Sequence, residues 1–289
     1  MKKRVLVLGA TGLIGHQVYN YLKDTGSFDL CSFAYRKRLV PDTLIVDARD
    51  ESRLIAEIAK IAPDYIVNCI GILISGSVKE PENAIFLNAY LPHRLKNFGD
   101  QNNCILIHIS TDCVFSGQKG GPYSESDPKD GLDVYAKSKG LGEIVSPKHL
   151  TLRTSVVGPE LKHDGEELFH WFMNQTGTIE GFTKSIWSGV TTIELARAVE
   201  SAITRQITGL HNVTNNSSIS KYDLLCLIKK HTKKDIKIVK VDGRKTDKSF
   251  RDNRSELGFV VPTYDQMIKE MVGLVEGNRE LYAHYSILS

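Results

Sequence analysis

Arg4-Val5-Leu6-Val7-Leu8-Gly9-Ala10-Thr11-Gly12-Leu13-Ile14-Gly15 decides the fold. A short apolar run reads as a buried strand and opens directly into three glycines, with a helix-like stretch over 15–23 behind them. Strand, glycine turn and helix in this order hold a dinucleotide pyrophosphate. Gly9 makes the tight turn, Gly12 lets backbone N–H groups approach phosphate, and Gly15 lets the helix close on the strand. The helix N-terminus adds unpaired N–H donors and the positive end of its dipole. Thr11, Leu13 and Ile14 lie within this turn and are expected to touch the cofactor alongside the glycines.

The rest of the chain must supply the sheet that carries such a turn. Its 289 residues are 41% hydrophobic and 25% charged, the balance of a globular protein. A net charge of +3 gives no argument for nucleic acid. Met1-Lys2-Lys3-Arg4 imitates the start of a secretory signal, but the apolar run behind it breaks at Gly9. No stretch approaches the length of a membrane span. Five cysteines, an odd number lying mostly in strand-like runs, fit free thiols in a reducing cytoplasm. No CxxC pair and no histidine spacing predicts a metal, and His16, His108 and His211 read as packing or surface residues.

Strand signals at 4–8, 29–34, 44–46, 65–70 and 104–109 are continuous and apolar, as in parallel strands buried on both faces. Helix-like stretches at 15–23, 51–61, 82–98 and 134–144 separate them, and a further strand follows at 150–154. The alternation predicts an α/β fold, a Rossmann-type doubly wound parallel sheet with a smaller C-terminal substrate lobe. Regularity fades after Val157-Gly158-Pro159, with helices expected at 166–173, 192–203 and 220–231 and a strand at 209–213. The expected division is a cofactor-binding domain of 1–157 plus 187–212 and a substrate lobe of 158–186 plus 213–289. The run 229–254 carries eleven Lys/Arg against four Asp, which suits either a solvated face or a wall facing an anionic substrate.

The second strand selects the cofactor. A carboxylate normally follows it to hold the ribose hydroxyls, whereas this chain reads Tyr35-Arg36-Lys37-Arg38. Arg36 and its neighbours suit a 2′-phosphate, which a carboxylate would repel, so the cofactor expected is NADPH. Asp47-Ala48, ending the third strand, is placed for the adenine edge. Cys69-Ile70-Gly71, ending the fourth, would pass beneath the cofactor.

Tyr135 and Lys139 stand at i and i+4, on one helix face. A phenol titrates near ~10, and a neighbouring ammonium stabilises the phenolate and lowers that value. Ser110-Thr111-Asp112 precedes this pair at the C-terminal end of a strand, where α/β sheets present ligand-facing groups. A Thr111 hydroxyl there can bond the same carbonyl oxygen that Tyr135 protonates.

The glycine turn, Asn88, Ser110-Thr111-Asp112-Cys113-Val114-Phe115, Tyr135…Lys139 with Gly142-Glu143, and Leu152-Arg153-Thr154-Ser155 together resemble the extended short-chain dehydrogenase/reductases. Within them the chain resembles the dTDP-4-dehydrorhamnose reductase family. The resemblance covers most of the chain and is most specific over the first 160 residues. It is looser through Gly189-Val190-Thr191-Thr192 and through Asp247-Lys248-Ser249…Arg254-Ser255-Glu256-Leu257. It implies NADPH-dependent reduction of the 4-keto group of a nucleotide-activated deoxysugar, serving surface polysaccharide or similar glycan synthesis. Tyr135 is then the proton donor and Thr111 its hydroxyl partner, while Lys139 lowers the phenol and holds the nicotinamide ribose. Arg153, Thr154, Ser155 and Val156 would border the nicotinamide. Asp112, Cys113, Trp187 and Lys248 are expected on the sugar nucleotide, Trp187 as a flat ring for a pyranose face.

One departure opens a second reading. Cys113 stands where the reductase family usually has Tyr, and the GDP-fucose synthase group, which epimerises before reducing, pairs a Cys there with a His. His163 and His170 fall in about the right region. Cys113 as a small buried hydrophobe is the simpler alternative. The dehydratases' Asp-Glu pair is absent, because Cys113 replaces the Glu. A third reading, from another class, is a non-catalytic NADP-binding regulatory subunit, against which the intact Thr111, Tyr135 and Lys139 argue. The partners expected are a nucleotide-sugar substrate and a second copy in a homodimer, without nucleic acid or a membrane span.

Overall fold

The computed structural model describes residues 1–254, 256, 258, 260–285 and 287. The strands in chain order are β1 (Arg4–Leu8), β2 (Asp29–Ala34), β3 (Leu44–Ile45), β4 (Tyr65–Asn68), β5 (Ile105–Thr111), β6 (Leu150–Thr154) and β7 (Val156–Val157). Then come β8 (Thr178–Phe182), β9 (Ser185–Trp187), β10 (Val190–Thr191), β11 (Gly209–Asn212), β12 (Ile219–Ser220), β13 (Lys237–Val241) and β14 (Thr246–Asp247). Seven of them form one sheet in the order β11-β6-β5-β4-β1-β2-β3, parallel throughout. The order reverses beside β1, so the C-terminal ends of β1 and β4 open a crevice there.

Side-chain alternation along β1 divides the core. Val5 and Val7 face one layer, with Val18 and Leu22 of α1 (Leu13–Thr25), Leu195 and Val199 of α8 (Thr192–Arg205), and Met267 and Met271 of α10 (Tyr264–Gly277). Leu6 and Leu8 face the other, with Leu54 and Ile58 of α2 (Glu51–Ile61) and Leu91 and Leu95 of α5 (Leu91–Gln101). Helices on both faces explain why these strands read as unbroken apolar runs. Gly26, at φ 64°, ends α1 in the left-handed conformation that glycine adopts without strain.

The expected strand over 65–70 stops at Asn68, whose side-chain oxygen accepts from the Ile70 N–H at 3.1 Å and turns the chain. The strand expected over 104–109 runs on to Thr111, because its pairing with β6 continues as far as Thr154. The helix expected over 82–98 is interrupted. Short helices α3 (Ile74–Lys79) and α4 (Pro81–Ala84) precede a π-helical turn, Ile85–Tyr90, which then feeds α5. The irregular turn seats Asn88 against α6 (Val134–Leu141), where a Cβ on Gly142 would lie 1.9 Å from the Asn88 carbonyl oxygen.

Beyond β6 the chain builds smaller units from α7 (Leu168–Met173), α9 (Lys221–Thr232) and short strands. These pair as β12-β9-β14, β13-β8 and β10-β7. Trp187 ends β9, while β11 returns to the edge of the main sheet. All five cysteines are free thiols. Among the described residues no helix is long and apolar enough to cross a membrane.

Candidate active site

A cleft of about 880 Å³ opens at the switch point, and Thr11, Gly12, Leu13, Ile14, Cys69, Ile70 and Gly71 line it. Gly9 and Gly15 shape the turn from behind. Gly9 adopts φ +76°, and a Cβ on Gly15 would lie 2.1 Å from the Gly9 carbonyl oxygen, so helix and turn close only without a side chain there. His16 is a packing residue, its ring bonded to the Gly12 carbonyl at 2.7 Å and to the Tyr282 hydroxyl at 2.9 Å. Burial lowers its pKa to about 4, so it stays neutral.

Arg36, Asp47 and Ala48 do not line this cleft. Arg36 and Asp47 stand instead beyond the ends of β2 and β3, near Tyr35, while Ala48 packs into the core layer with Leu54 and Ile58. The Arg36 guanidinium lies 4.7 Å from the Tyr35 ring centre and that of Arg49 lies 5.3 Å away. Arg49 also donates to the Tyr35 hydroxyl at 2.7 Å and clasps both oxygens of Asp47, at 3.0 and 2.7 Å. Asp47 is therefore occupied by Arg49, a residue that sequence reasoning missed although it stands two positions away. The result is a cationic platform at the outer end of the crevice, suited to a phosphate.

At the inner end, Thr111, Tyr135 and Lys139 all line the cleft. Asp133 caps α6 by accepting the Ala136 N–H at 2.8 Å, which sets the helix that carries Tyr135 and Lys139 on one face. The Lys139 ammonium is buried and donates to the Ile109 carbonyl at 2.6 Å. Burial lowers its pKa to about 8, against the opposing charge of Glu143. The expectation that Lys139 depresses the Tyr135 phenol needs correction. Burial is the leading influence and raises it, with further upward pushes from Cys113, Asp112 and Glu167, while hydrogen bonding to Thr111 pulls it down. Asn88 brackets the loop after β4. It accepts from the Ile72 N–H at 2.8 Å, and its amide donates to the Ile72 carbonyl and to Ser138.

A second correction concerns Arg153. Thr154, Ser155 and Val156 line the cleft, but the Arg153 side chain points away from it and is 1% exposed. Its guanidinium donates to Glu143 at 2.8 and 2.7 Å. Ser110 donates to the same carboxylate at 2.7 Å. Burial alone would raise Glu143, yet these hydrogen bonds and the Arg153 charge hold its carboxyl below the usual range. The network ties the strand ends of β5 and β6 to the end of α6, beneath Thr111, Tyr135 and Lys139.

The outer wall contains Asp112, Cys113, Trp187 and Lys248, together with Glu167, Lys221 and Arg244, which sequence reasoning did not single out. Trp187 is 4% exposed and packs on Tyr264 with ring centres 5.7 Å apart, so it serves core and cleft together. Burial pushes the Cys113 thiol up to about 12. Neither candidate histidine partner lines the cleft: His170 is buried on the Tyr285 hydroxyl at 2.9 Å, and His163 packs on His284. His108 and His211 are buried packing residues. Asp247 and Ser249 bond each other beside Lys248, whereas Ser255 and Leu257 of the C-terminal stretch lie outside the described residues.

A parallel sheet with a glycine turn at its switch point, and a Tyr–Lys helix pair beside a strand-end hydroxyl, define an extended short-chain dehydrogenase/reductase. The family model described as RmlD substrate binding domain matches residues 2–257, and the chain belongs to that family. The probable low-salt glycan biosynthesis reductase Agl14 of Haloferax volcanii is 32% identical over 157 residues, 52% of this chain and 52% of that protein. Methionine adenosyltransferase 2 subunit beta of Danio rerio is 36% identical over 148 residues, 51% of this chain and 44% of that protein. The matches thus span about half the length of these relatives. A dTDP-4-dehydrorhamnose reductase from Bacillus anthracis, solved in complex with NADP, superposes with TM-score 0.82 over 96% of this chain and 100% of that one. Its 22% identity speaks to the fold alone.

Proposed function

We propose that this protein is an NADPH-dependent reductase of the 4-keto group of a nucleotide-activated deoxysugar, acting in glycan biosynthesis. The single observation that carries this reading is the convergence of Thr111, Tyr135 and Lys139 in one cleft with the glycine turn. The residues fit the cofactor. Gly9, Gly12 and Gly15 leave room where a Cβ would meet backbone, and Thr11 to Ile14, Cys69 to Gly71 and Thr154 to Val156 would line its path. When bound, NADPH supplies the hydride for the carbonyl carbon. Tyr135 gives its proton to the carbonyl oxygen, which Thr111 orients. Lys139 is buried and, with its pKa lowered to about 8, is suited to holding the nicotinamide ribose and replenishing the phenol's proton.

Residues 1–157 with 187–212 form the cofactor unit in this reading, and 158–186 with 213–289 the substrate lobe. Lys248 and Arg244 on the cleft wall suit the nucleotide diphosphate, and Trp187 and Asp112 the sugar. The high Cys113 pKa argues against this thiol as an acid or base, which favours simple reduction over epimerisation. A binding-only regulatory subunit has no need of the whole catalytic set. Exposed Ile85, Tyr90 and Leu141, on the π-turn and α6, support a homodimer, checked by the mass in light scattering.

Arg36→Ala weakens NADPH far more than NADH, by the ~1.5–3 kcal/mol of a charge-assisted hydrogen bond. Fluorescence titration with both cofactors checks this, and equal affinities in the unmodified protein exclude the assignment. The function itself is tested with purified protein, by following NADPH oxidation against a panel of nucleotide 4-ketosugars. Turnover of at least one is expected, and turnover of none rejects the proposal.

A further inference from the structure

Glu167 and Lys221 face the cleft yet take no part in the chemistry described above. Glu167 lies just before α7 and Lys221 is the first residue of α9, so two elements distant in sequence bring them to one wall. Among the described residues neither side chain makes a hydrogen bond or an ion pair. The Glu167 backbone N–H bonds Glu160 at 2.9 Å, but its carboxyl has no such partner. The Lys221 ammonium lies 5.4 Å from the Trp187 ring centre. Each nonetheless feels the other's charge, and Lys221 also feels Asp112 and Cys113.

An acid and an ammonium that line one wall without an ion pair between them leave a gap for a ligand group, because a ligand that displaces their water must replace its hydrogen bonds. The group that fits is both donor and acceptor. A diphosphate does not fit, since Glu167 would repel it, and Arg244 and Lys248 already stand on the wall for that charge. Glu167, Lys221 and Tyr135 line the same cleft, and Lys221 lies against the Trp187 ring proposed for the sugar, which puts this gap on the sugar side of the phenol.

We infer that Glu167 and Lys221 form a two-point clamp on a sugar substituent next to the ketone, selecting substrates with a donor–acceptor group there over deoxy analogues. A hydroxyl or an acylamino group has this chemistry. The inference rests on the proposed reduction and names its substrate class. Glu167 accepts from the substituent and Lys221 donates to it. A methylene in that place would leave both unpaired, which is how a polar site rejects an analogue.

The groups facing Glu167 are Glu160 and Glu166 on its own segment, Asp112 after β5, Tyr135 on α6 and Lys221 on α9, and Lys221 in turn faces Cys113. Burial, then Glu160, raises the Glu167 pKa to about 7, against Lys221. The carboxylate accepts the stronger bond, so KM falls as pH rises through about 7.

The test compares paired nucleotide sugars, hydroxylated or deoxy at the carbon beside the reacting one, in the wild type, Glu167→Gln and Lys221→Met. Equilibrium binding of the non-keto nucleotide sugars to the protein with NADP reads the clamp without turnover, and kcat and KM are read on the 4-ketones. Thermal melting and NADPH affinity verify that the variants fold. The wild type is expected to prefer the hydroxylated partner by about 100-fold or more, mostly in KM and binding. Each variant reduces this to less than about 10-fold, and Glu167→Gln removes the KM inflection near neutral pH. Equal binding of both sugars by the wild type, or a preference that survives both variants, overturns the clamp. Absence of turnover with every 4-ketone, alongside the binding preference, would reject the reductase reading and leave the clamp standing.

Discussion

Tyr135→Phe lowers kcat by about 10²–10⁴-fold while NADPH binding stays nearly intact, because the substitution removes one proton donor and keeps the ring. The buried phenol sits at the meeting of Thr111, Cys113 and Asp112. Lys139→Ala behaves differently. Its ammonium holds the end of β5 through the Ile109 carbonyl and is placed for the ribose, so rate and cofactor affinity fall together. Steady-state kinetics and NADPH titration on both variants separate these effects. Near-normal turnover by Tyr135→Phe would remove the phenol from the mechanism.

Arg153→Met destabilises the fold by about 3–5 kcal/mol, since it leaves a buried carboxylate without its main partner. For a chain of this size that is a fall in melting temperature on the order of 10 °C. The Glu143 carboxyl is fully buried, and among the described residues Ser110 and Lys129 remain as its other direct partners. The pH dependence follows from its depressed value. Pairing stabilises the protein fully above the ordinary carboxylate pKa and is lost as pH falls through the lower, folded-state value. The difference in melting temperature between wild type and Arg153→Met therefore narrows in acid. A companion Glu143→Leu change recovers much of the loss, because an uncharged pair leaves nothing unpaired. Equal melting temperatures for wild type and Arg153→Met at neutral pH would show the network to be dispensable.

Local chemistry made part of this site legible in the sequence. Gly9, Gly12 and Gly15 announce themselves because the strand, the turn and the helix are contiguous. Thr111 and the Tyr135–Lys139 pair are legible because strand ends and i,i+4 spacing are local rules. Arg153 was misplaced, since neighbouring residues on a strand face opposite ways: Thr154 lines the cleft while Arg153 turns under the sheet to Glu143. The π-turn at Asn88 was read as plain helix because apolar spacing cannot register one extra residue in a turn. Glu167 and Lys221 were illegible for another reason. They reach one cleft wall from the segment before α7 and the start of α9, beyond residue 158, where the sequence loses its regular alternation. Arg49 was visible as a residue, but its grip on Asp47 depends on how β3 ends.

The most direct test of the central claim follows where hydrogen goes. A nucleotide 4-keto-6-deoxysugar is reduced with NADPH dideuterated at nicotinamide carbon 4 in ordinary water, and again with ordinary NADPH in deuterated water, and the product is read by NMR. Direct hydride transfer with a Tyr135 proton predicts one deuterium on sugar carbon 4 in the first reaction. It predicts none on carbons 3 or 5 in the second. Deuterium from the solvent at carbon 3 or 5 would contradict simple reduction, and failure to label carbon 4 would contradict the reductase itself.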